Sequence, residues 1–179
     1  MPAIENSNMI PGVAGTSTFA GVPSAGTSKI QTLTFGGTIT ASATSGFYVV
    51  FGGQTSGLIL WSATNATLVS NIDAAVELMA NVGTSGVTTA TGTITSGIGT
   101  ITVTSAGNIA ALDHATFTVI SALEGTSPTV DIAETTAGVT ATFRGAVKGK
   151  IVSDTTNGVA YINTGTEFIP TWTKIGTQT

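Results

Sequence analysis

The chain has 179 residues, among them 36 Thr and 23 Gly, and it contains no Cys. Only 8% of its residues are charged, compared with roughly 25% in ordinary soluble domains, and the formal net charge is −4. The absence of Cys excludes disulfides, thiol catalysis and cysteine-ligated metals, and it leaves the redox compartment open. The hydrophobic fraction of 41% argues against a disordered polymer. A weakly charged surface of Thr-rich strands associates readily, which favours a subunit of an assembly.

The first 29 residues are predicted to form an extended arm. The opening MPAIENSNMI has neither a basic segment nor a long apolar run, so we do not expect a standard secretory signal. The following IPGVAGTSTFAGVPSAGTS has no lasting period, and alone it would bury too little surface to become ordered. Its sparse apolar residues Ile10, Phe19 and Val22 are candidate anchors on a neighbouring surface, and a flexible tail is the alternative.

Residues 30–143 are predicted to form the globular domain, which begins with strands. IQTLTF (30–35) alternates apolar and polar residues, and GFYVVF (46–51) has the aromatic and β-branched content of a buried strand. Gly52-Gly53 then predicts a turn, after which SGLILW (56–61) returns as the second strand of a hairpin.

One substantial helix is predicted near residues 65–82. Its apolar residues form the stripe of an amphipathic helix, and they are Leu68, Ile72, Ala75, Val76 and Met79. Thr64 or Asn65 is placed to cap its start, and Gly83 lies where a left-handed residue commonly ends a helix. A helix of this length is marginal alone, so we expect it to lie on a sheet.

Strand patterns resume after the helix and continue to the end of the domain. They are separated by Gly, Ser, Asn and Pro, and they are VTTATGTI (87–94), GIGTITVTS (97–105), ATFTVIS (115–121), PTVDIAE (128–134) and VTATF (139–143). The order of strands, helix and strands predicts an α+β, mostly β fold. It would have a sandwich-like pair of antiparallel sheets, or a single sheet, with the helix on one face.

Residues 144–179 are predicted to form a C-terminal β-hairpin and one further strand. KGKIVSD and VAYIN flank TTNG, whose Asn157-Gly158 pair is a strong hairpin signal, and Asp154 can accept a hydrogen bond from the turn backbone. FIPTWTKIG (168–176) adds the last strand. Strands this short do not make a stable core alone, so we expect them to pack on the main domain or on other copies of the chain.

Charge is distributed unevenly along the chain. Residues 30–143 contain six acidic residues and no Lys or Arg. Residues 144–179 contain two acidic residues and four basic ones, which are Arg144, Lys148, Lys150 and Lys174. This pattern is either scatter or a basic segment that docks on an acidic neighbour, such as the middle domain of another copy. The basic residues form no stripe that would neutralise phosphates, so we expect no nucleic-acid partner.

The sequence contains no clear motif for catalysis, metal binding or membrane insertion. Its longest apolar runs, FYVVF and LILW, are far shorter than the ~20 residues of a membrane helix. Asp113 and His114 are not accompanied by a G-x-S-x-G elbow, and one His with scattered acids gives no metal-ligand spacing. We therefore expect no enzyme activity, metal, cofactor or membrane partner, and we interpret His114 as solvent-facing or packed in a loop. Trp61 and Trp172 are interpreted as core or interface residues, with a sugar-binding platform as the alternative.

Several stretches resemble a module of tailed-bacteriophage virion proteins. FYVVFGGQTSGLILWSATNATLVSNIDAAVELMANVGTSGVT is similar to a pattern of apolar strand, GGQT, second strand, N-A-T helix start and N-[IV]-G-x-x-x-V-T. GTITVTSAGNIAALDHATFTV and SPTVDIAETTAGVT resemble its later strands, and DTTNGVAYINTG…PTWTKIGTQT is similar to closing segments of capsid-associated and fibre-like phage proteins. The resemblance covers about residues 15–179 and implies a virion structural protein without enzyme activity or cofactor. Many such proteins embed the module in longer chains, and its near isolation here favours a head decoration protein over a long tail fibre.

These features favour a decoration (cement) subunit that binds the outer surface of the capsid and stabilises the shell. The expected location is the virion, and the expected partners are the major capsid protein and further copies of the chain, most simply as a homotrimer. The candidate interface residues are Ile10, Phe19, Val22, Arg144, Lys148, Lys150, Tyr161, Phe168 and Trp172. The alternatives are a receptor- or glycan-binding head fibre or tail appendage, a tail component, and a secreted adhesin module. The candidate contacts of an appendage are Tyr48, Trp61, Tyr161 and Trp172.

Overall fold

The computed structural model describes residues 17–90, 92–95 and 97–176, and the chain divides into two units. The larger unit comprises residues 26–140, and the smaller unit comprises residues 1–25 together with 141–179. The larger unit is therefore one continuous stretch, whereas the smaller unit is assembled from both ends of the chain.

The described residues form mainly short strands with one α-helix and one turn of 3₁₀-helix. In chain order these are β1 (Ser17–Phe19), β2 (Ile30–Thr40), β3 (Gly46–Phe51), β4 (Gln54–Thr55), β5 (Ile59–Leu60), α1 (Asn65–Glu77), β6 (Val87–Ala90), β7 (Ile94–Thr95), β8 (Ile98–Ser105), the 3₁₀ turn (Gly107–Ile109), β9 (Thr118–Ala122), β10 (Glu124–Thr136), β11 (Ile151–Asp154), β12 (Val159–Asn163) and β13 (Trp172–Lys174).

Two antiparallel sheets and the helix build the larger unit. The five-stranded sheet has the order β10-β2-β8-β6, and β7 also pairs with β8. In the four-stranded sheet, β3 is central and pairs with β4 and β5 on one side and with β9 on the other. The predicted α+β, mostly β fold with sandwich-like antiparallel sheets and one amphipathic helix is therefore confirmed.

The core of the larger unit joins both sheets and the helix. Phe35 of β2 packs on Phe47 of β3 and on Trp61, with ring centroids 5.5 and 5.0 Å apart. Leu68 and Ile72 of α1 are fully buried in the same cluster. Removing this much apolar surface from water supplies the main favourable free energy of the fold.

Threonines cover the outer face of the five-stranded sheet. The register places Thr32 opposite Thr102 and Thr34 opposite Thr100, while Leu33 between them faces the core. The hydroxyl oxygen of Thr32 also lies 2.6 Å from that of Thr135. β-branched side chains suit a half-buried pleated surface, so these residues cover the sheet without adding charge.

The first hairpin turns where the sequence predicts it. Phe51 pairs with Gln54, so the turn consists of Gly52 and Gly53, whose φ angles are 55° and 80°. Positive φ at both central residues is typical of a type I′ turn, and glycine adopts it without steric cost. The predicted return strand is interrupted between β4 and β5. There, the hydroxyl of Ser56 accepts a hydrogen bond from the backbone N–H of Val49.

The helix is shorter than predicted. It ends at Glu77 because the N–H of Met79 donates to the carbonyl of Val76, three residues back instead of four. Thr64 occupies the N-cap position, but its side chain makes no cap hydrogen bond. Gly83 is left-handed, with a φ of 79°, but it lies six residues after Glu77, so its predicted place at the end of the helix is wrong. No helix in the described part of the chain is long and apolar enough to cross a bilayer.

The smaller unit is a four-stranded sheet of order β1-β11-β12-β13. Strand β1 runs parallel to β11, which places Phe19 opposite Asp154, and β11 forms the predicted hairpin with β12. The described part of the predicted arm is residues 17–29. Residues 17–25 belong to the smaller unit with the C-terminal segment of the chain, whereas residues 26–29 belong to the larger unit, where Thr27 bridges Val139. Ile10 lies outside the described residues.

The strand predicted over residues 139–143 is wrong. Val139 makes a single bridge to Thr27, and Phe143 has a φ of 54°, far from the usual extended backbone of a strand. The N–H of Thr142 donates to the carbonyl of Ser24 instead. Pairing with residues that are distant in sequence overrides the local alternating pattern.

The exposed edge of β10 is protected at several points. A register shift between Thr126 and Thr129 interrupts its pairing with β2, and Pro128 has no N–H to offer a further strand. The carboxylate of Asp131 accepts a hydrogen bond of 2.9 Å from the N–H of Ile132. Bulges, prolines and charges are the means by which edge strands avoid pairing with other molecules.

Replacing Ile72 with Ala should destabilise the larger unit by about 2–5 kcal/mol, because the substitution leaves a cavity in a packed core. The matched control is Ser70→Ala on the exposed side of the same helix, which should change the stability by less than about 0.5 kcal/mol. Urea unfolding followed by circular dichroism measures both. Equal midpoints for the two variants would contradict this packing of α1.

Replacing Asp131 with Ala should increase association of the folded chain, because the N–H of Ile132 then becomes available to another strand. Asp131→Asn keeps an acceptor for that N–H and removes only the charge, so it should associate less than Asp131→Ala. Light scattering below the unfolding temperature compares the two with the unmodified chain. The same scattering from all three proteins would rule out edge protection by this carboxylate.

Candidate functional site

The smaller unit brings together two of the aromatic residues that the sequence singles out. Phe19 of β1 packs edge-to-face on Phe143, with ring centroids 5.4 Å apart, and Phe143 packs on Trp172 of β13 at 6.0 Å. Phe19 and Trp172 are half-buried. Part of each ring thus stabilises the smaller unit itself, and the remainder is accessible to a partner.

Basic side chains lie beside aromatic ones in the same unit. The guanidinium carbon of Arg144 is 5.2 Å from the ring centroid of Phe168, which is a cation–π arrangement. Tyr161 of β12 lies opposite Val152 of β11 and Lys174 of β13. The sheet and its loops therefore present a mixed basic and aromatic surface.

The remaining candidates also lie at the surface of the smaller unit. Val22 is 65% exposed, Lys148 is exposed and Lys150 is half-buried. Contact between these residues and a partner stays a prediction.

A buried carboxylate connects the two ends of the chain. Asp154 is 1% exposed, and its Oδ1 accepts hydrogen bonds from the N–H groups of Gly21 (2.9 Å), Thr156 (2.9 Å) and Asn157 (3.2 Å). Its Oδ2 accepts a bond of 2.6 Å from the side-chain amide of Asn157. The predicted bond from the turn backbone to Asp154 is confirmed, and the bond from Gly21 adds a link to the N-terminal segment.

Hydrogen bonding holds the pKa of Asp154 below its ordinary value. The main cause is the side-chain amide of Asn157, and the N–H groups of Gly21, Thr156 and Asn157 act in the same direction. Burial opposes them because it disfavours the charged form. The carboxylate therefore remains ionised at neutral pH and holds its four donors.

The hairpin turn is not the two-residue turn that an Asn-Gly pair commonly forms. Residues 155–158 form a four-residue loop in which Gly158 has positive φ and donates its N–H to the carbonyl of Asp154. Asp154 binds the N–H groups of Thr156 and Asn157, so its side chain determines the course of the loop. Side chains of this kind compete with the regular pairing of the backbone.

A second buried polar residue, Asn163, organises the loops at the other end of the hairpin. Its Nδ2 donates to the carbonyls of Ala146 (2.6 Å) and Thr166 (3.3 Å), and its Oδ1 accepts from the N–H groups of Gly165 and Thr171, both at 2.9 Å. Asn163 was not among the residues predicted from the sequence. A usable signal was an Asn at the end of a strand, followed directly by a Gly-containing turn.

His114 is packed rather than solvent-facing. Its ring stacks on Phe117 and meets the edge of Phe51, with centroids 5.9 and 5.1 Å apart. Its Nδ1 donates to the carbonyl of Ala115, so Nε2 accepts a bond of 2.7 Å from the hydroxyl of Ser105. Burial is the main cause that lowers the pKa of His114, and the positive charge of Lys29 adds to it.

Ser105 and His114 make the hydrogen bond of a catalytic dyad, but Ser105 is too deeply buried for a substrate to reach it. Ser105 is only 3% exposed, and Asp113, which precedes the histidine, lies 3.8 Å from Lys29 instead of on the imidazole. Lys29 is itself buried and also pairs with Glu134. These polar groups are satisfied within the larger unit, and their geometry supports packing rather than bond chemistry.

The structure bears on two further expectations, which concern the role of Trp61 and the binding of metal ions. Trp61 is buried against Phe35, which agrees with a core residue and removes it as a glycan platform. Among residues 17–90, 92–95 and 97–176, no group of three or more His, Asp or Glu side chains is arranged to hold a metal ion. The expectations of no metal, no cofactor and no enzyme activity stay predictions.

Comparisons with protein-family models, with curated proteins and with solved structures find no match for the chain. The resemblance to phage virion modules therefore rests on the sequence motifs alone. In the structure, the aromatic, basic and exposed apolar side chains of the smaller unit lie on loops and short strands. Hydrogen bonds that Asp154 and Asn163 make hold these loops and strands in place.

Acid should unfold the smaller unit, because its stability depends on ionised Asp154. The folded-state pKa is depressed, so the stabilisation is fully present above the ordinary Asp value of about 3.9 and is lost as the pH falls through the lower folded-state pKa. Asp154→Asn should weaken this unit at neutral pH and flatten its pH dependence below about pH 4.

Trp172 belongs to the smaller unit and Trp61 to the larger one, so fluorotryptophan labelling and fluorine NMR report each unit separately. In the unmodified chain, we expect the Trp172 resonance to move to its unfolded-state chemical shift before the Trp61 resonance does as the pH falls. Identical acid and urea profiles for the Trp172 resonance with and without Asp154→Asn would contradict the role given to the carboxylate.

Proposed function

We propose that the chain is a non-enzymatic structural subunit of a bacteriophage virion, of the capsid decoration class. It would bind the outside of the assembled shell, through the major capsid protein, as a homo-oligomer that is most simply a trimer. The interface would include the arm and the basic, aromatic surface of the smaller unit. Binding the assembled shell and not its dissociated subunits stabilises the shell by mass action.

The observation that carries this proposal is the composition of the surface. The sheet face of the larger unit is covered by Thr, and large apolar side chains such as Leu78, Val147 and Ile98 are more than half exposed. The charged fraction of the chain is only 8%. A chain with so little charge and such exposed apolar groups is prone to associate unless partners cover them.

The class of assembly is inferred from sequence motifs. The strand, GGQT turn, strand and helix of the phage-like module correspond to β3, the Gly52-Gly53 turn, β5 and α1. The motif therefore falls on one continuous piece of the sandwich rather than across unrelated loops. The proposed place in a virion rests on these sequence motifs.

Heat challenge of phage particles tests the proposal. Particles assembled without this chain should release their DNA at a lower temperature than complete particles, as measured with a DNA-binding dye. Adding the purified chain should restore the original release temperature, and an unrelated acidic protein of similar size should not. Unchanged release in its absence would reject the decoration role.

Copy number separates decoration from the appendage alternative. A decoration protein should be present in proportion to the faces of the capsid, measured by quantitative gel electrophoresis against the major capsid protein. A few copies per particle, or recovery of the chain with isolated tails, would favour an appendage or tail component.

A further inference from the structure

A shallow apolar groove lies between α1 and one edge of the four-stranded sheet. Leu58 and Leu60 line one side of it, and Ala74, Ala75 and Leu78 line the other. Its volume is about 290 Å³, which leaves room for an aliphatic side chain. Leu78 is 87% exposed, and an exposed leucine beside an open apolar groove marks a surface where a partner docks.

One acidic side chain, that of Glu77, lies next to a residue that lines the groove. Glu77 follows Ala74 by three residues on the helix, so the two side chains are neighbours on its surface. The larger unit contains six acidic residues and one basic residue, Lys29, and the side chain of Lys29 is buried against Glu134. A complementary partner therefore carries an apolar side chain flanked by positive charge.

The smaller unit presents such a side chain. Val147 is 61% exposed and is followed by the exposed Lys148. The loop that carries them is fixed, because Asn163 binds the carbonyl of Ala146 and the N–H of Lys150 donates to the carbonyl of Val147. A loop that already has its final conformation loses little entropy when it binds.

We propose that Val147 of one copy inserts into the groove of a second copy, with Lys148 close to Glu77. Two facing grooves would bring like charges together, as would two facing basic loops, so the complementary contact pairs a loop with a groove. Such a contact is made twice in a two-fold dimer, or it repeats head-to-tail in a ring or a filament. It deepens the proposed function, because it names the residues that would join the copies of the homo-oligomer, and it does not require a capsid.

Sedimentation of the purified chain over a range of concentrations tests the contact. The mean mass should exceed that of the monomer and fall as salt is added, because salt screens the charges. Leu78→Ser and Val147→Ser should each shift the protein to monomer. Ile120→Ser is the matched control, since Ile120 is 53% exposed on β9 of the larger unit, and it should leave the mass unchanged.

Mixing the two defective variants tests whether the loop of one copy enters the groove of another. Leu78→Ser keeps an intact loop and Val147→Ser keeps an intact groove, so an equimolar mixture should form a complex of two chains. Likewise, Lys148→Glu and Glu77→Lys should each weaken association, and the double variant should regain it. Circular dichroism verifies that every variant is folded.

Three results would overturn the contact: a monomer at every concentration, variants that associate like the unmodified chain, or a mixture that stays monomeric. Intact self-association together with no effect on particle stability would reject the proposed function alone. Particle stabilisation by a chain that remains monomeric would reject this contact and the homo-oligomer, and it would leave the decoration role standing.

Discussion

The smaller unit depends on one buried carboxylate. Its sheet has four short strands, and fully buried apolar side chains such as Val152 are few among its described residues. Asp154 binds N–H groups from its own hairpin loop and from Gly21, which is 133 residues away along the chain. Charge-assisted bonds of this kind are stronger than neutral ones. The aromatic contacts between Phe19, Phe143 and Trp172 add to this link within the same unit.

Several buried polar side chains of this protein form hydrogen bonds with its own backbone. Asn163 fixes three loop segments, and Gln31, which is fully buried in the larger unit, accepts the N–H of Phe117. The pair of His114 and Ser105 is enclosed by aromatic rings. Of the polar side-chain atoms of these residues, only Nε2 of Gln31 has no hydrogen-bond partner within the described part of the chain.

Local signals in the sequence predicted local structure well. The stripe containing Leu68, Ile72 and Val76 located α1, and Gly52-Gly53 located the first turn, because periodicity and positive φ are properties of neighbouring residues. The end of the helix was missed because it depends on a hydrogen bond to Val76 from Met79, three residues later. The period of the apolar stripe does not encode that change.

Long-range pairing could not be predicted in the same way. No period or motif announces that β1 joins β11, or that Gly21 binds Asp154, since these partners are far apart in the sequence and meet only in the folded chain. The contacts within the candidate site could not be predicted from local sequence patterns either. Phe19 and Trp172 were recognised as residues that need a partner, and the structure supplies part of that partner from Phe143.

The division of the chain determines the order in which its parts can be completed during synthesis. Residues 26–140 form the larger unit from one continuous stretch, so it can fold while the ribosome is still adding residues. Of the described strands, β1 is made earliest, and it acquires its neighbour β11 only after residues 151–154 have been translated. Among these strands β1 therefore waits longest for a partner, and a chain released before that point would have a finished sandwich and an unpaired β1.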